Sequence, residues 1–365
     1  MKSNKFLKQD YFFMQKALEL AASAKGKVSP DPMVGAVLAK NHRIIATGFH
    51  EKFPSPHAEA WALDKAKEKA RGATLYVNLE PCAHFGNNPP CTDYIIQSKI
   101  KRVVCAMPDP NPLVNGKGIA RLRKAGIKVE VGLLEKEAKK LNEVFIKHIT
   151  TGRPFVVLKC AMTLDGKIAS RSGDSKWISS EKSRKFSHIL RSQSDAIIVG
   201  INTILKDNPL LTTRKVKGKN PLRIILDSRA QTPLKAKVIL DKSAPTIIAV
   251  SKAAPSNKVR ALKKAGAQIV YTTDLKKIIR ELGASQINSV LIEGGGEVAF
   301  SALAQKIVDK IFFIVAPKII GGREAKSPVE GKGLNKIAHS IKINKFKSRP
   351  CGQDIILEGY IEAKK

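Results

Sequence analysis

The chain has 365 residues, of which 43% are hydrophobic and 26% charged, a composition that excludes a disordered chain and indicates a globular protein. This length exceeds one typical hydrophobic core and predicts two domains. The 65 Lys and Arg against 31 Asp and Glu give a net charge of +34, and the densest basic stretch is RKVKGK at 214–219. Because the charge is otherwise dispersed and no basic tail is present, it favours a solvated surface over a nucleic-acid partner.

Cysteine content and hydropathy bear on the cellular compartment. The chain has five cysteines, an odd number, and charged residues interrupt the N-terminal stretch MKSNKFLKQDYFFMQKAL too often for a signal peptide. The sequence has no run of about 18 apolar residues that would span a bilayer. We therefore expect a cytoplasmic protein with reduced thiols, no disulfide framework and no membrane partner.

Helices and strands alternate along the first half of the chain, which predicts a layered α/β domain. Gly152 and Pro154 end its last helix, so we place the boundary there, between a domain of 1–150 and a domain of 151–365. The predicted elements are a helix over 10–25, strands over 34–39 and 43–49, a helix over 57–69, a strand over 73–79, a short helix after Cys91, a strand over 102–107, a helix over 117–125, a strand over 127–132 and a single long helix over 134–147.

The alternation restarts in the second half, which predicts a second α/β domain without internal repeats. The predicted strands are 154–162, 195–200, 221–227, 244–250, 267–272, 288–294 and 310–317, with helices near 180–192, 256–265, 275–283 and 297–306.

A histidine, a glutamate and two cysteines form the first chemical motif. His57 and Glu59 stand in PSPHAEAW, and Cys82 and Cys91 stand in EPCAHFGNNPPCTD. A catalytic zinc site takes three protein ligands and keeps one position open, and His-x-Glu followed by Pro-Cys-spacer-Cys is the signature of zinc deaminases. We therefore predict His57, Cys82 and Cys91 as zinc ligands and Glu59 as the group that moves protons to the departing amine. The alternative is a buried cysteine pair with an unrelated surface histidine.

Other cysteines and histidines near this motif have simpler explanations. Because three ligands complete a catalytic set, His84 is predicted to contact substrate or solvent rather than metal. Cys105 and Cys160 lie in strand patterns and are predicted to be core thiols.

A run of three glycines in the second half suggests a phosphate site. LIEGGGEVAFSALA places a strand, glycines 294–296 and a helix in order. Backbone amides at the N-terminus of a helix bind phosphate, whereas a glycine turn between strand and helix is also a common structural feature. The spacing is not Gly-x-Gly-x-x-Gly, so it does not predict a Rossmann site.

Several stretches, in this order, resemble the bifunctional riboflavin-biosynthesis deaminase/reductase family. The eight-residue spacer between Cys82 and Cys91 departs from the usual two residues of zinc deaminases and matches this family. The matching stretches span nearly the whole chain: PMVGAVLA, HAEAWAL, LEPCAHFGNNPPCTD, MPDPNPLVNGKG, LNEVFIKHITTGRPFVVLK, LDGKIAS, GDSKWISS, DNPLLTTR and LIEGGG.

The resemblance implies two consecutive reactions on two domains. An N-terminal cytidine-deaminase-like α/β/α sandwich, with one Zn²⁺, would deaminate 2,5-diamino-6-(ribosylamino)-4(3H)-pyrimidinone 5′-phosphate. A C-terminal α/β domain similar to dihydrofolate reductase would use NADPH to reduce the ribosyl group to ribityl, with hydride going to C1′ of the ring-opened sugar. A phosphorylated pyrimidine substrate and a homo-oligomer are implied as well.

The resemblance also implies site residues in the second domain. Arg191 and Arg214 suit a phosphate, because a guanidinium donates paired hydrogen bonds. Lys159 and Asp165 either line the reductase site or cap and solvate a strand end. The implied NADP contacts are Ala161, Trp177, Thr203, Asp207, Gly295, Gly296, Glu297, Val298, Ala299, Phe300 and Ser301, and the implied substrate contacts are Ser175, Arg191, Leu211, Arg214 and Glu293.

One position departs from the family pattern. The family usually has Asn before the Pro of the PxVG element, and this chain has Asp31. An amide donates and accepts hydrogen bonds, whereas an ionised Asp only accepts them. We therefore expect that Asp31→Asn leaves deaminase activity equal or higher.

Two other functions fit part of the sequence. A nucleic-acid base deaminase would use the zinc motif and the positive charge, but it leaves the second domain unexplained. A non-catalytic zinc-binding scaffold would require a fourth protein ligand for its zinc. The presence of Glu59 beside a set of three ligands argues against a scaffold.

Overall fold

The structure is a computed structural model that describes residues 6–85, 89–112 and 114–362. Its contacts divide the chain into two compact units, Met1–Gly152 and Arg153–Lys365. No helix in the described ranges is long and apolar enough to cross a membrane.

The first unit alternates helices with strands, as its sequence pattern predicts. The two-residue turn between its first two strands, Asn41 and His42, has φ of 50° and 61°, as tight β-hairpins require. In order, the elements are α1 Lys8–Ala22, β1 Gly35–Lys40, β2 Arg43–Phe49, α2 Ala58–Ala66, β3 Thr74–Val77, α3 Cys91–Gln97, β4 Arg102–Cys105, α4 Lys117–Lys124, β5 Lys128–Val131, α5 Glu135–Leu141 and α6 Glu143–Thr151.

These strands form one five-stranded sheet between two helical layers. The strand order is β2-β1-β3-β4-β5, in which β1 pairs antiparallel with β2 and β3, and β3, β4 and β5 are parallel. One core cluster packs α2, α3 and α4 on one face, and another packs α1, α5 and α6 on the other. The predicted three-layer α/β/α sandwich is therefore observed.

The prediction of a single helix over 134–147 is wrong, because Asn142 separates α5 from α6. Its buried amide accepts the Met33 N–H at 2.8 Å and donates to the Met33 carbonyl at 3.0 Å. These hydrogen bonds tie the helix break to the loop that precedes β1.

The second unit contains a larger mixed sheet. All predicted strands and helices of this half are present, but the sequence reading missed α8, α9 and the C-terminal hairpin. The elements are β6 Phe155–Thr163, α7 Glu181–Ser192, β7 Ala196–Gly200, α8 Ile201–Asp207, β8 Leu222–Leu226, α9 Lys237–Leu240, β9 Thr246–Ala249, α10 Ser256–Lys264, β10 Gln268–Val270, α11 Leu275–Ala284, β11 Ser289–Ile292, α12 Gly296–Ala304, β12 Lys310–Ala316, β13 Ile343–Cys351 and β14 Asp354–Ile361.

The nine strands follow the order β10-β9-β8-β7-β11-β6-β12-β14-β13. The seven strands from β10 to β12 are parallel, and β14 and β13 extend the edge as an antiparallel hairpin. Helices α7 to α10 pack on one face and α11 and α12 on the other. The carboxyl ends of β6, β7 and β11 therefore meet at one edge of the sheet, where α/β proteins place ligand sites.

Candidate active sites

The three predicted zinc ligands lie together in the first unit. The Nδ1 atom of His57 lies 3.2 Å from Sγ of Cys91 and 3.6 Å from Sγ of Cys82, and all three ligand atoms lie within 4.8 Å of one another. Zinc–sulfur and zinc–nitrogen bonds of about 2.3 and 2.0 Å separate tetrahedral ligands by about 3.6 Å. One nitrogen and two sulfurs at these separations fit a zinc ion with an open fourth position.

Two helix N-termini position these ligands. His57 is the N-cap residue of α2, and Cys91 is the first residue of α3. The loop between them brings Cys82 close, because the Thr92 N–H donates to the Cys82 carbonyl and the Cys91 N–H donates to the Cys82 sulfur. Residues 86–88 of the cysteine spacer lie outside the described residues, and His84 is exposed.

The protonation states suit metal binding and proton transfer. Hydrogen bonding from the Cys91 thiol, together with His57, lowers the pKa of Cys82 well below its usual range, which favours the thiolate that binds zinc. Glu59 stands in the first turn of α2, is only 3% exposed and interacts with the Cys91 side chain. Burial raises the pKa of Glu59 above its ordinary value, which favours a carboxyl that can hold a proton as well as release one.

Glu80, which the sequence reading did not single out, anchors the loop that leads to Cys82. Its buried carboxylate accepts the N–H groups of Asp109, Gly116 and Ile119 at 2.9 to 3.1 Å. Three backbone donors on one carboxylate fix the loop before α4 against the strand end that carries the cysteine. The sequence gives no signal for this role, because backbone donors carry no residue identity.

A second residue that the sequence reading missed is His50. Its Nε2 atom lies 3.1 Å from Oδ2 of Asp31, its Nδ1 atom lies 3.2 Å from the Pro56 carbonyl, and its ring contacts the His57 ring edge-on. His50 is 2% exposed, so the atypical Asp31 has a buried imidazole partner beside the metal site.

A cleft of about 430 Å³ in the second unit brings together part of the implied cofactor set. Ser175 lies in it and donates to Asp207 at 2.9 Å. The residues that line the cleft do not include five of the implied cofactor contacts: Ala161, Trp177, Ala299, Phe300 and Ser301. The implied contacts that line the cleft are Ser175, Thr203, Asp207, Gly295, Gly296, Glu297 and Val298.

The glycine run shapes this cleft. A Cβ on Gly294 would lie 2.7 Å from Val298, and one on Gly296 would lie 2.6 Å from the Ser327 carbonyl, so both positions exclude a side chain. A Cβ on Gly295 would have no heavy atom within 4 Å, which leaves room for a ligand at the N-terminus of α12. The first amides of α12 have no carbonyl partner within the helix, so the cradle fits a cofactor phosphate.

A largely buried ionic cluster joins Lys159 of β6 and Arg191 of α7 to Glu293, the residue after β11. Arg191 donates to both carboxylate oxygens of Glu293 at 2.8 Å, and Lys159 Nζ lies 3.8 Å from the same carboxylate. Burial opposes ionisation, but Arg191 and Lys159 lower the pKa of Glu293 to about 2. Arg214 is exposed and its guanidinium donates to Thr212 at 3.2 Å.

The remaining implied residues are more dispersed. Trp177 is 65% exposed and its ring lies 4.5 Å from the Arg184 guanidinium. Asp165 accepts the Thr163 hydroxyl and the Gly321 N–H, which is a cap on the end of β6. Cys105 and Cys160 are both buried, as expected for core thiols.

Together, the three-ligand cluster with its buried carboxylate and the glycine-lined cleft of the parallel sheet fit a two-domain enzyme, in which a zinc-dependent deaminase precedes an α/β domain with a phosphate-binding cleft. The comparisons with known proteins agree with that class. Residues 7–107 match the cytidine and deoxycytidylate deaminase zinc-binding region, and residues 154–357 match the RibD C-terminal domain.

Full-length relatives give the family. The chain is 48% identical to the riboflavin biosynthesis protein RibD of Aquifex aeolicus, over 95% of this chain and 97% of that protein. A Thermotoga maritima structure, named a diaminohydroxyphosphoribosylaminopyrimidine deaminase/5-amino-6-(5-phosphoribosylamino)uracil reductase, is 40% identical with a TM-score of 0.87, over 97% of this chain and 99% of that one. Acinetobacter baumannii RibD is 37% identical with a TM-score of 0.89, over 98% and 100%. The chain belongs to the RibD family.

Membership fixes the general chemistry. RibD proteins are bifunctional, with a zinc-binding deaminase domain that acts as a hydrolase and an NADPH-dependent reductase domain with a dihydrofolate-reductase-like fold. The sequence-based predictions of fold class, enzyme class and cofactors are confirmed.

Proposed function

We propose that this protein catalyses both consecutive steps, with the deaminase site on residues 1–150 and the reductase site on 151–365. The first step is hydrolytic deamination of 2,5-diamino-6-(ribosylamino)-4(3H)-pyrimidinone 5′-phosphate, and the second is NADPH-dependent reduction of its ribosyl group to ribityl. The observation that carries the proposal is the cluster of His57, Cys82 and Cys91 beside the buried Glu59.

In the first step, Glu59 carries a proton from the attacking water to the departing amine. His57, Cys82 and Cys91 would hold a zinc ion, which would act as a Lewis acid and make a water molecule nucleophilic near neutral pH. The Glu59 carboxylate takes a proton from the attacking water and delivers it to the amine, which leaves as ammonia. The raised pKa of Glu59 suits both transfers.

In the second step, residues at the sheet edge hold the sugar phosphate and the cofactor. NADPH would supply the hydride that reduces C1′ of the ring-opened sugar, and water would supply the accompanying proton. The amides at the start of α12 hold the cofactor phosphates, and Ser175 and Asp207 line the same cleft. Arg214 is the arginine that meets the substrate phosphate, because the Arg191 guanidinium is already hydrogen-bonded to Glu293.

The molecular setting of these reactions follows from the substrate. A phosphorylated pyrimidine is a small anionic ligand, and the dispersed net charge of +34 favours its approach. We propose a cytoplasmic homo-oligomer that takes this small molecule and needs neither nucleic acid nor membrane.

A coupled assay tests the proposal. Purified, zinc-loaded protein receives the diaminopyrimidinone ribosyl phosphate and NADPH, and ammonia release and nicotinamide absorbance are followed together. Wild type should release ammonia before it consumes NADPH. Glu59→Gln should retain zinc and lower ammonia release by about 10²- to 10⁴-fold, because it removes a general acid–base group. Asp64→Asn, which removes an exposed carboxylate from the same helix, is the matched control.

The other outcomes separate the alternatives. Ammonia without NADPH consumption would show a working deaminase beside an inactive reductase unit. Release of ammonia from RNA or DNA in preference to the pyrimidine would support the nucleic-acid base deaminase. Bound zinc with neither activity would support the scaffold.

A further inference from the structure

His188 lies buried in α7, one turn before Arg191, and faces the loop that follows α8. His188 is only 6% exposed, and its Nδ1 atom lies 3.2 Å from the backbone nitrogen of Arg214. The Arg214 N–H is the donor, so the His188 nitrogen is the acceptor. A ring with an accepting Nδ1 carries its proton on Nε2.

The loop that His188 contacts has an unusual backbone. Leu211 has φ of +57° and is 2% exposed, although left-handed backbone is costly for a side chain with a Cβ. Such conformations are costly and persist only where surrounding contacts impose them. Here α7 supplies two such contacts, from His188 to the Arg214 N–H and from Arg191 Nη1 to the Thr212 carbonyl at 3.4 Å.

The charges around His188 suit an acceptor. Burial, followed by Arg191 and Arg214, lowers the pKa of His188 to about 4, against the smaller opposing effects of Glu293 and the Thr212 backbone. The imidazole is therefore neutral at physiological pH. A lysine or a protonated histidine at this position would present a donor to the Arg214 N–H and break the contact.

We propose that His188 is a positioning residue for substrate phosphate binding: by accepting the Arg214 N–H, it fixes the 211–214 loop and so the direction in which the Arg214 side chain leaves it. The inference rests on the proposed function of the second unit. It assigns to the buried His188 side chain the placement of the exposed Arg214 side chain.

Two variants separate the hydrogen bond from the packing. His188→Asn keeps an acceptor near the position of Nδ1, whereas His188→Leu keeps apolar volume and removes the acceptor. The full-length, zinc-loaded protein is titrated calorimetrically with ribose 5-phosphate, and reductase kinetics are measured on 5-amino-6-(5-phosphoribosylamino)uracil. We expect His188→Leu to weaken phosphate binding and raise KM about tenfold with kcat within about twofold of wild type. His188→Asn should restore binding to within about threefold.

A double variant that combines His188→Leu with Arg214→Ala tests whether His188 acts through Arg214. If His188 acts by placing Arg214, His188→Leu adds little to the loss already caused by Arg214→Ala, and the two effects are not additive. Full additivity would overturn the proposal. Equal defects in the Asn and Leu variants would also overturn it, because they would point to ring packing instead of the acceptor.

The outcomes distinguish this inference from the proposed function. If wild-type protein neither binds ribose 5-phosphate nor reduces the substrate, the reductase assignment fails and takes the inference with it. If wild type does both and His188→Leu is unchanged, only the inference fails. Should His188→Leu not fold, nitrogen NMR of wild type decides, since a protonated His188 Nδ1 at neutral pH would contradict the accepting role.

Discussion

Arg191 and Glu293 are joined by two parallel hydrogen bonds of 2.8 Å, and their side chains are only 13% and 8% exposed. The edge of the Arg191 guanidinium that donates these hydrogen bonds is therefore not available to bind a second anion. The family resemblance implies substrate contacts for both Arg191 and Arg214, but this geometry favours different tasks. We expect Arg191 to keep Glu293 ionised and in place and Arg214 to bind the phosphate.

The two arginines should therefore respond differently to removal. Arg191→Met leaves a buried carboxylate with Lys159 at 3.8 Å as its remaining cation, and losing one partner of a buried pair costs about 3–5 kcal/mol. We expect scanning calorimetry to show a lower unfolding temperature for Arg191→Met and little change for Arg214→Met. Phosphate binding should be weakened about tenfold or more in Arg214→Met. Equal stability of the two variants would contradict this division of tasks.

Glu80 should control the deaminase site without touching zinc. Glu80→Gln replaces an acceptor of three N–H groups by an amide that presents its own donors to some of them, at a cost of about 1–3 kcal/mol. We expect less bound zinc, by elemental analysis, and at least tenfold slower ammonia release. NADPH-dependent reduction of the deaminated substrate should persist. Glu68→Gln, at an exposed position of the same unit, is the control, and normal zinc content in Glu80→Gln would refute the anchoring role.

Structural elements and site residues could be predicted from the sequence where their signal lies in neighbouring residues. The helical and strand periods predicted most of both sheets, and His57, Glu59, Cys82 and Cys91 could be found because their chemistry has a characteristic order. Asn142 could not be recognised as a helix break, because its hydrogen-bonding partner Met33 lies 109 residues away.

The features that were missed share this dependence on distant partners. Glu80 and His188 act on backbone N–H groups, which any residue except proline provides. The β13 strand is exposed along nearly its whole length and includes two lysines and one arginine, so it has no buried face to give an alternating pattern.

Asp31→Asn tests the one departure from the family pattern. Asp31 accepts from His50 at 3.1 Å, and the Asn carbonyl can accept the same bond while its amino group offers a donor to the pyrimidine. We therefore expect equal or higher deaminase turnover, with KM equal or lower. Asp31→Ala, which removes both functions, should lower activity. A large loss in Asp31→Asn would show that the carboxylate charge itself is needed.

The last prediction concerns acid stability of the first unit and rests on Asp10. This carboxylate is 0% exposed, accepts from Arg102 at 2.8 and 2.9 Å and from the Tyr76 hydroxyl at 2.7 Å. Burial alone would raise its pKa, but the hydrogen bonds from Arg102 and Tyr76 lower the pKa of Asp10 to about 2.

Because this pKa is lower in the folded than in the unfolded chain, the ionised carboxylate stabilises the fold above about pH 4, by about 2 kcal/mol. That contribution is lost as pH falls from about 4 through 2. We expect Asp10→Asn to be less stable than the parent at pH 7, with the difference shrinking toward pH 2. Of the two tryptophans, Trp61 lies in the first unit, so urea unfolding in a Trp177→Phe background follows that unit by fluorescence. A difference that stays constant between pH 7 and pH 2 would mean that the Asp10 charge does not stabilise the fold.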